Sequence, residues 1–400
     1  HEEVAHAPEP SRPPPRADAT PGGRPAREAF LDDLREFVDI DSGSHSPDGV
    51  NAVVDRLEAR FRATGWATER GPAAPFGDLL VGRLDGGAGP RVLLIGHTDT
   101  VFSDGTVAER PFRIEGERAY GPGVNDMKGG LLVALHAVEV LREAGVPFGA
   151  LTFVCNPDEE VGSPASRATI ADLAREADVA FVFEAAREDG SVVSARKGVA
   201  DLEVRFRGRA AHAGVEPERG RSAIVEAAHR TLALHALNGR WPGVTVNVGV
   251  VEGGSRPNVV AAACALQLDL RAPTAALQDE ALAAIREVLA APTDPDVSIE
   301  VLGDVWHRPM EKGPGAAALA ALATELGRDL GIEVRDAATG GASDANTTSS
   351  LGVPTLDGLG PVGGDPHSVD EWMDVPSVPA RIALAAGLLA RSGEVATRSS

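Results

Sequence analysis

The sequence is poor in cysteine: Cys155 and Cys264 are the only two in 400 residues, and both stand in apolar runs. Two such residues make neither a disulfide framework nor a CxxC metal knuckle, so both read as buried core. A reducing cytoplasm is the expected setting, and because the chain begins at His1 the sequence leaves open an upstream signal already removed. No apolar run is long enough to cross a bilayer, and no charged, apolar, small-residue series marks a secretory leader. Bases are short as well: 38 Lys and Arg face 59 Asp and Glu, a formal charge of -21. Binding to nucleic acid or anionic membrane rests on basic patches, so neither is an expected partner. Internal repeats are missing too. What remains is a soluble globular composition, 43% hydrophobic and 24% charged, at a length that suggests two domains or more.

Residues 1–25 are rich in Pro, Ala, Arg and Glu without apolar periodicity, and are expected to form a disordered tail. The opening "HEEVAH" imitates a zinc-binding helix, but His1 and His6 are five apart where that motif needs four. From Arg27 helical and strand patterns alternate. "RVLLIGHTDT", "ALTFVCN" and "VAFVFEA" are continuous apolar runs of strand length, separated by amphipathic stretches such as "GGLLVALHAVEVLREAG". Runs of this kind imply a mostly parallel sheet covered on both faces, hence an α/β domain. The rhythm changes after Gly198. "GVADLEVRFRG", "GRSAIVEAAHRTLALHAL", "VTVNVGVVEGG", "VVAAACALQLDLRA", "LQDEALAAIREVLA" and "DVSIEVLGD" read in order as β-α-β-β-α-β, the ferredoxin-like split βαβ pattern. The expected organisation is a discontinuous catalytic domain, 26–198 and 308–395, interrupted by a smaller domain at 199–307.

Four acidic or imidazole clusters fall where strands of the larger domain end: His97 and Asp99 in "GHTDT", Asp126 in "GPGVNDMKGG", Glu159 and Glu160 in "NPDEEVGS", and Glu184 in "VFEAARE". Ligands of open α/β sheets bind at the carboxyl ends of the strands. His367, in the glycine- and proline-rich "GLGPVGGDPHSVDEW", makes a fifth piece. Each has an ordinary explanation alone. A histidine in a turn is commonly a surface residue, adjacent glutamates commonly start a solvated helix, and His136 reads as structural. Together the charges would repel one another unless a cation neutralised them. Imidazole nitrogen and carboxylate oxygen are what zinc accepts, and two metals about 3.5–4 Å apart would use nearly all the groups.

"GHTDTV", "GPGVNDMKGG", "NPDEEVGS", "FEAARE", "AHAG", "RPNVV" and "GDPHS" resemble, in the same order, the signature segments of the di-zinc peptidases. That superfamily includes glutamate carboxypeptidase, acetylornithine deacetylase, succinyl-diaminopimelate desuccinylase and aminoacylase. The resemblance runs from about Phe30 to about Leu389. Glu184 favours the glutamate carboxypeptidase branch, since many relatives carry Asp there. It implies a mostly parallel-sheet di-zinc catalytic domain carrying an inserted ferredoxin-like dimerisation domain. It also implies that His97 and Glu184 hold one zinc, that Glu160 and His367 hold the other, and that Asp126 bridges them; cobalt or manganese could substitute. Asp99 would orient His97, Glu159 would be the general base, and the peptide bond after Asp126 is often cis in such proteins.

By the same resemblance His212 would act in the active site of a partner subunit, which requires a homodimer. Asn258, Arg271 and Arg308 would meet a free carboxylate of a small-molecule or peptide substrate. Arg196 and Lys197 are candidates for a second acidic group, although neither aligns cleanly with the basic residue expected there. The expected activity is hydrolysis of an amide bond beside a free carboxylate, with release of C-terminal glutamate, and an N-acyl-amino-acid deacylase is the alternative. A non-catalytic metal- or peptide-binding protein is a further alternative, opposed by Glu159, which mere binding would not need. A two-metal phosphoesterase is opposed by the lack of a phosphate-cradling loop.

Overall fold

The computed structural model describes residues 26–396, so the tail expected at 1–25 lies outside the described residues. Six strands form the main sheet in the order Ala67–Pro72, Asp78–Asp85, Ala150–Asn156, Arg91–His97, Val179–Val182 and Thr355–Leu356. The last four are mutually parallel, while the hairpin 67–85 adds two antiparallel strands along one edge.

Side chains alternate across the sheet because successive Cβ atoms point to opposite faces. Val92, Leu94, Leu151, Phe153, Val179 and Phe181 join the larger core, under the helices Ala26–Val38, Pro47–Ala63, Lys128–Glu143, Pro314–Leu330 and Val378–Arg391. Leu93, Ile95, Val154, Ala180 and Val182 face the other way, against Ile170 and Ala174 of Arg167–Glu176 and against Ala345. Burial on both faces is why these strands read as continuous apolar runs. The protein is thus an α/β molecule with a mostly parallel central sheet, as the sequence implies.

The inserted part has its own sheet, ordered Thr245–Gly253, Ala263–Ala272, Gly198–Arg207 and Ser298–His307, with every neighbouring pair antiparallel. Helices Ala223–His235 and Ala275–Ala290 cover one face, over Leu202, Val204, Phe206, Leu266, Leu268 and Leu270. Each begins on a hydroxyl that accepts a backbone N–H of its first turn, Ser222 from Val225 and Thr274 from Leu277. The third strand starts at Ala263, four residues later than its apolar run suggests, and the fourth extends to His307. Among the described residues no helix is long and apolar enough to cross a membrane.

One small sheet bears directly on the site. Strands Arg113–Glu115, Arg118–Tyr120, Trp372–Asp374 and Gly363–Gly364 pair side by side, bringing the segment around His367 against the loop that leads to Asp126.

Candidate metal centre

His97 is the last residue of its strand, and Asn156 ends the neighbouring one. The chain then turns through Asp158 into a single 3-10 turn, Glu159–Val161. Glu184 follows the strand Val179–Val182 by two residues, and Asp126 precedes the helix Lys128–Glu143. His367 arrives on a loop where Asp365 and His367 both take positive φ, 52° and 61°. The Asp126–Met127 peptide bond is cis.

Asp126 is the centre of the arrangement. Its Oδ1 lies 3.3 Å from His97 Nε2, which is also 3.6 Å from Glu184 Oε1. Its Oδ2 lies 3.1 Å from His367 Nε2, which is 3.2 Å from Glu160 Oε2. One carboxylate thus faces two donor sets, His97 with Glu184 on one side and His367 with Glu160 on the other. Glu159 stands beside the first, its ligand atoms within 4.8 Å of those of His97 and Glu184.

Asp99 organises this ground from below. Its fully buried carboxylate accepts Ser44 Oγ at 2.6 Å and the backbone N–H groups of Glu159 and Glu160 at 3.1 and 3.2 Å. Its backbone oxygen accepts from His97 Nδ1 at 2.9 Å, which fixes the ring with Nε2 turned toward Asp126 and Glu184. Asp158, the first of the three consecutive acids, points elsewhere. It accepts the N–H groups of Ala165 and Ser166 and the Ser166 hydroxyl, fixing the loop beyond the turn. The three acids therefore divide into one structural carboxylate and two that face the cluster.

The electrostatics show what the cluster is short of. Burial pushes the Glu184 carboxyl up to about 8, with Asp126 and Asp357 adding to it against His97. Burial, then Glu184, carries Glu159 well above the usual carboxylate range. Glu160 is raised by burial and Asp126. Burial disfavours a charged His97, yet Glu184, Asp126 and Asp99 outweigh it and raise that imidazole well above its ordinary value. Hydrogen bonds to Asp126 and Glu160 lift His367 to about 10. The three glutamates are driven toward their protonated forms, and the imidazoles toward theirs, because positive charge is lacking among them. Asp126 alone, against the effect of its burial, is held well below the usual carboxylate range by its hydrogen bonds to His367 and His97. His97 Nε2 and Glu160 Oε1 are buried without a hydrogen-bond partner. Two imidazoles and several carboxylates converging in this way are a donor set that divalent cations fit.

Three residues that the sequence did not single out complete the frame. Ser44 holds Asp99 as described. Asp344 is buried and accepts Ser163 Oγ at 2.6 Å and Asn156 Nδ2 at 2.8 Å, beside the Glu159–Val161 turn, with its carboxyl pushed by burial up to about 6. Glu371 accepts backbone N–H groups from the loop that carries Asp126. Gly162, at φ 85°, closes the Glu159–Val161 turn directly against the Trp306 ring, so the last inserted strand packs against it.

Among the described residues the expected substrate contacts make no hydrogen bond or ion pair to the cluster. His212 and Asn258 are exposed and lie on adjacent bridged segments, with the Ala213 N–H donating to the Asn258 carbonyl. Arg271 pairs with Asp269 and donates to the Gly340 carbonyl, and Arg308 is engaged by Asp279 and Gln278. Arg196 is half-buried and committed to Asp357 at 2.7 Å and to the Gly341 carbonyl. The Lys197 backbone N–H bonds the Thr339 carbonyl. His136 is buried and hydrogen-bonded to Asp33, a structural role.

Residues 93–391 match Peptidase family M20/M25/M40. The chain belongs to this family. Carboxypeptidase G2 of Pseudomonas sp. (strain RS-16) is 33% identical over 370 residues, covering 90% of this chain and 88% of its own. Acetylornithine deacetylase of Myxococcus xanthus is 32% identical over 257 residues, 60% of this chain and 65% of its own. Among solved structures, a tripeptidase from Staphylococcus aureus superposes with a TM-score of 0.78 at 23% identity, covering 93% of this chain and 99% of its own. This M20 protein is accordingly a hydrolase of the metallopeptidase and amidohydrolase kind.

Proposed function

We propose that the protein is a two-metal carboxypeptidase that hydrolyses an amide bond next to a free carboxylate and releases C-terminal glutamate. The observation that carries this is Asp126 facing His97 and Glu184 with one oxygen and His367 and Glu160 with the other. His97, Glu184 and Asp126 would hold one zinc, and Glu160, His367 and Asp126 the second. When bound, such a pair polarises a carbonyl and increases the acidity of water. The remaining work falls to the chain. Glu159, fixed by its own N–H on Asp99, takes a proton from the attacking water and delivers it to the leaving nitrogen. Its burial and its carboxylate neighbours raise its basicity, which suits a group that must carry a proton between two steps.

The segment 199–307 serves in this reading as the dimerisation and substrate domain. Thr245–Gly253 is an edge strand with Val250 and Val251 exposed, and the neighbouring helix exposes Ile224, Val225 and Leu232. An apolar unpaired edge suits pairing with a second copy about a two-fold axis. His212, which makes no hydrogen bond or ion pair to its own cluster, would then complete the partner's, and Asn258, Arg271 and Arg308 would receive the substrate carboxylate. Arginine's planar fork matches that group. Two inactive variants, His212→Ala and Glu159→Gln, should therefore recover activity when co-expressed, because the mixed dimer contains one intact site. Co-expressed, folded variants that stay inactive would contradict action across the dimer.

An N-acyl-amino-acid deacylase is the second reading, favoured by the similarity to acetylornithine deacetylase. The zinc-loaded protein is to be given folyl-glutamates, dipeptides and N-acetyl amino acids, and the products identified. Release of C-terminal glutamate is the expected result. Cleavage confined to acetylated substrates would leave only the deacylase.

A further inference from the structure

We infer that Glu371 and Trp372 are the positioning residues that set Asp126 and His367 at their working separation, an inference that rests on the two-metal reading above. The two are adjacent at the start of one short strand, Trp372–Asp374. Glu371 is buried, and its carboxylate is used entirely on backbone. Oε2 accepts Gly123 N–H at 2.9 Å, and Oε1 accepts Asn125 and Asp126 N–H, each at 2.9 Å. One side chain thus ties down the whole turn that presents Asp126. Trp372 points the other way, as neighbouring strand residues do. Its Nε1 donates to Asp365 Oδ2 at 3.2 Å, its ring lies against Gly364, and Arg118 stacks on the ring 3.8 Å from its centroid.

The loop held by Trp372 is a costly one. Asp365 and His367 both occupy left-handed backbone, which persists in residues with a side chain only where the surroundings impose it. The carboxylate that faces both donor sets and the histidine that faces only one are thereby hung from consecutive residues, and His367 Nε2 meets Asp126 Oδ2 at 3.1 Å. Asp126 serves both cations in this arrangement and His367 only one, so the two anchors have distinguishable effects.

The test measures zinc affinity rather than turnover, by competing full-length protein against a chromogenic chelator and following melting temperature alongside. Glu371→Gln keeps shape but sets an amide NH2 against backbone donors. It should weaken both bound ions by roughly 10–100-fold, the usual consequence of removing the partner that orients a ligand. Trp372→Phe keeps most of the ring and loses the N–H. It should weaken one ion by a similar factor and leave the other as in the wild type. Should Glu371→Gln fail to fold, the one-ion pattern of Trp372→Phe decides. Folded variants that melt earlier yet bind both ions like the wild type would overturn the inference and make the pair merely structural. A wild-type protein that binds no zinc would overturn the two-metal reading as well, an outcome separate from the first.

Discussion

Glu159→Gln is expected to keep both cations and to lose about 10²–10⁴-fold in kcat, the usual contribution of a positioned general base. The amide copies the carboxylate's shape but cannot accept a proton, and the N–H bond from residue 159 to Asp99 is backbone and survives. Metal content is the decisive companion measurement, because Glu159 also lies close enough to His97 and Glu184 to serve as a ligand. A variant that loses turnover and also one ion would make Glu159 a ligand. A fully metallated variant with wild-type turnover would remove it from the mechanism.

The second large effect is expected from stripping divalent cations with a chelator. Hydrolysis should disappear and return on adding zinc back, and the stripped protein should lose stability as pH rises. Glu184, Glu371 and Asp344 have folded values of about 8, 7 and 6, all above their ordinary values of 4.5 or 3.8. Burial heads the causes for each. A native state that holds protons more tightly than the unfolded chain is favoured at low pH. This stability is complete near the unfolded values and is lost as pH climbs through the folded ones. His97 and His367, raised above 6.5, act with the same sign. His307 opposes them: burial lowers it to about 4, so its contribution is lost as pH falls from 6.5 toward 4. Lys128, which burial lowers to about 8, opposes them above that pH, so the clean window runs from about pH 6.5 to about pH 8. Across it the stripped protein should melt several degrees lower, while the loaded protein changes little. Equal slopes for the two forms would contradict the charge imbalance.

The ligand cluster was legible in the sequence for a physical reason. A parallel sheet buried on both faces must be apolar along its strands, so charged residues at strand exits such as His97 and Glu184 stand out. The inserted sheet was legible for the opposite reason, since covering on one face leaves alternation, as in Gly198–Arg207. The edge hairpin 67–85 escaped notice because its strands are partly exposed and carry charge, and Thr355–Leu356 because two residues show no period. The supporting residues escaped because their partners are remote. Ser44 meets Asp99 across 55 positions, Asp344 meets Asn156 across 188, and Glu371 meets Gly123 across 248. No local pattern carries such information. His212, Asn258, Arg271 and Arg308 make no hydrogen bond or ion pair to the cluster among the described residues, and their assignment in the sequence came from resemblance, not from any local pattern.

The most direct measurement of the central claim is diffraction from zinc-soaked crystals, recorded at the zinc absorption edge. The account predicts two anomalous peaks per chain, one on each side of the Asp126 carboxylate, the first bordered by His97 and Glu184 and the second by Glu160 and His367. A lone peak, or peaks remote from these five side chains, would contradict it.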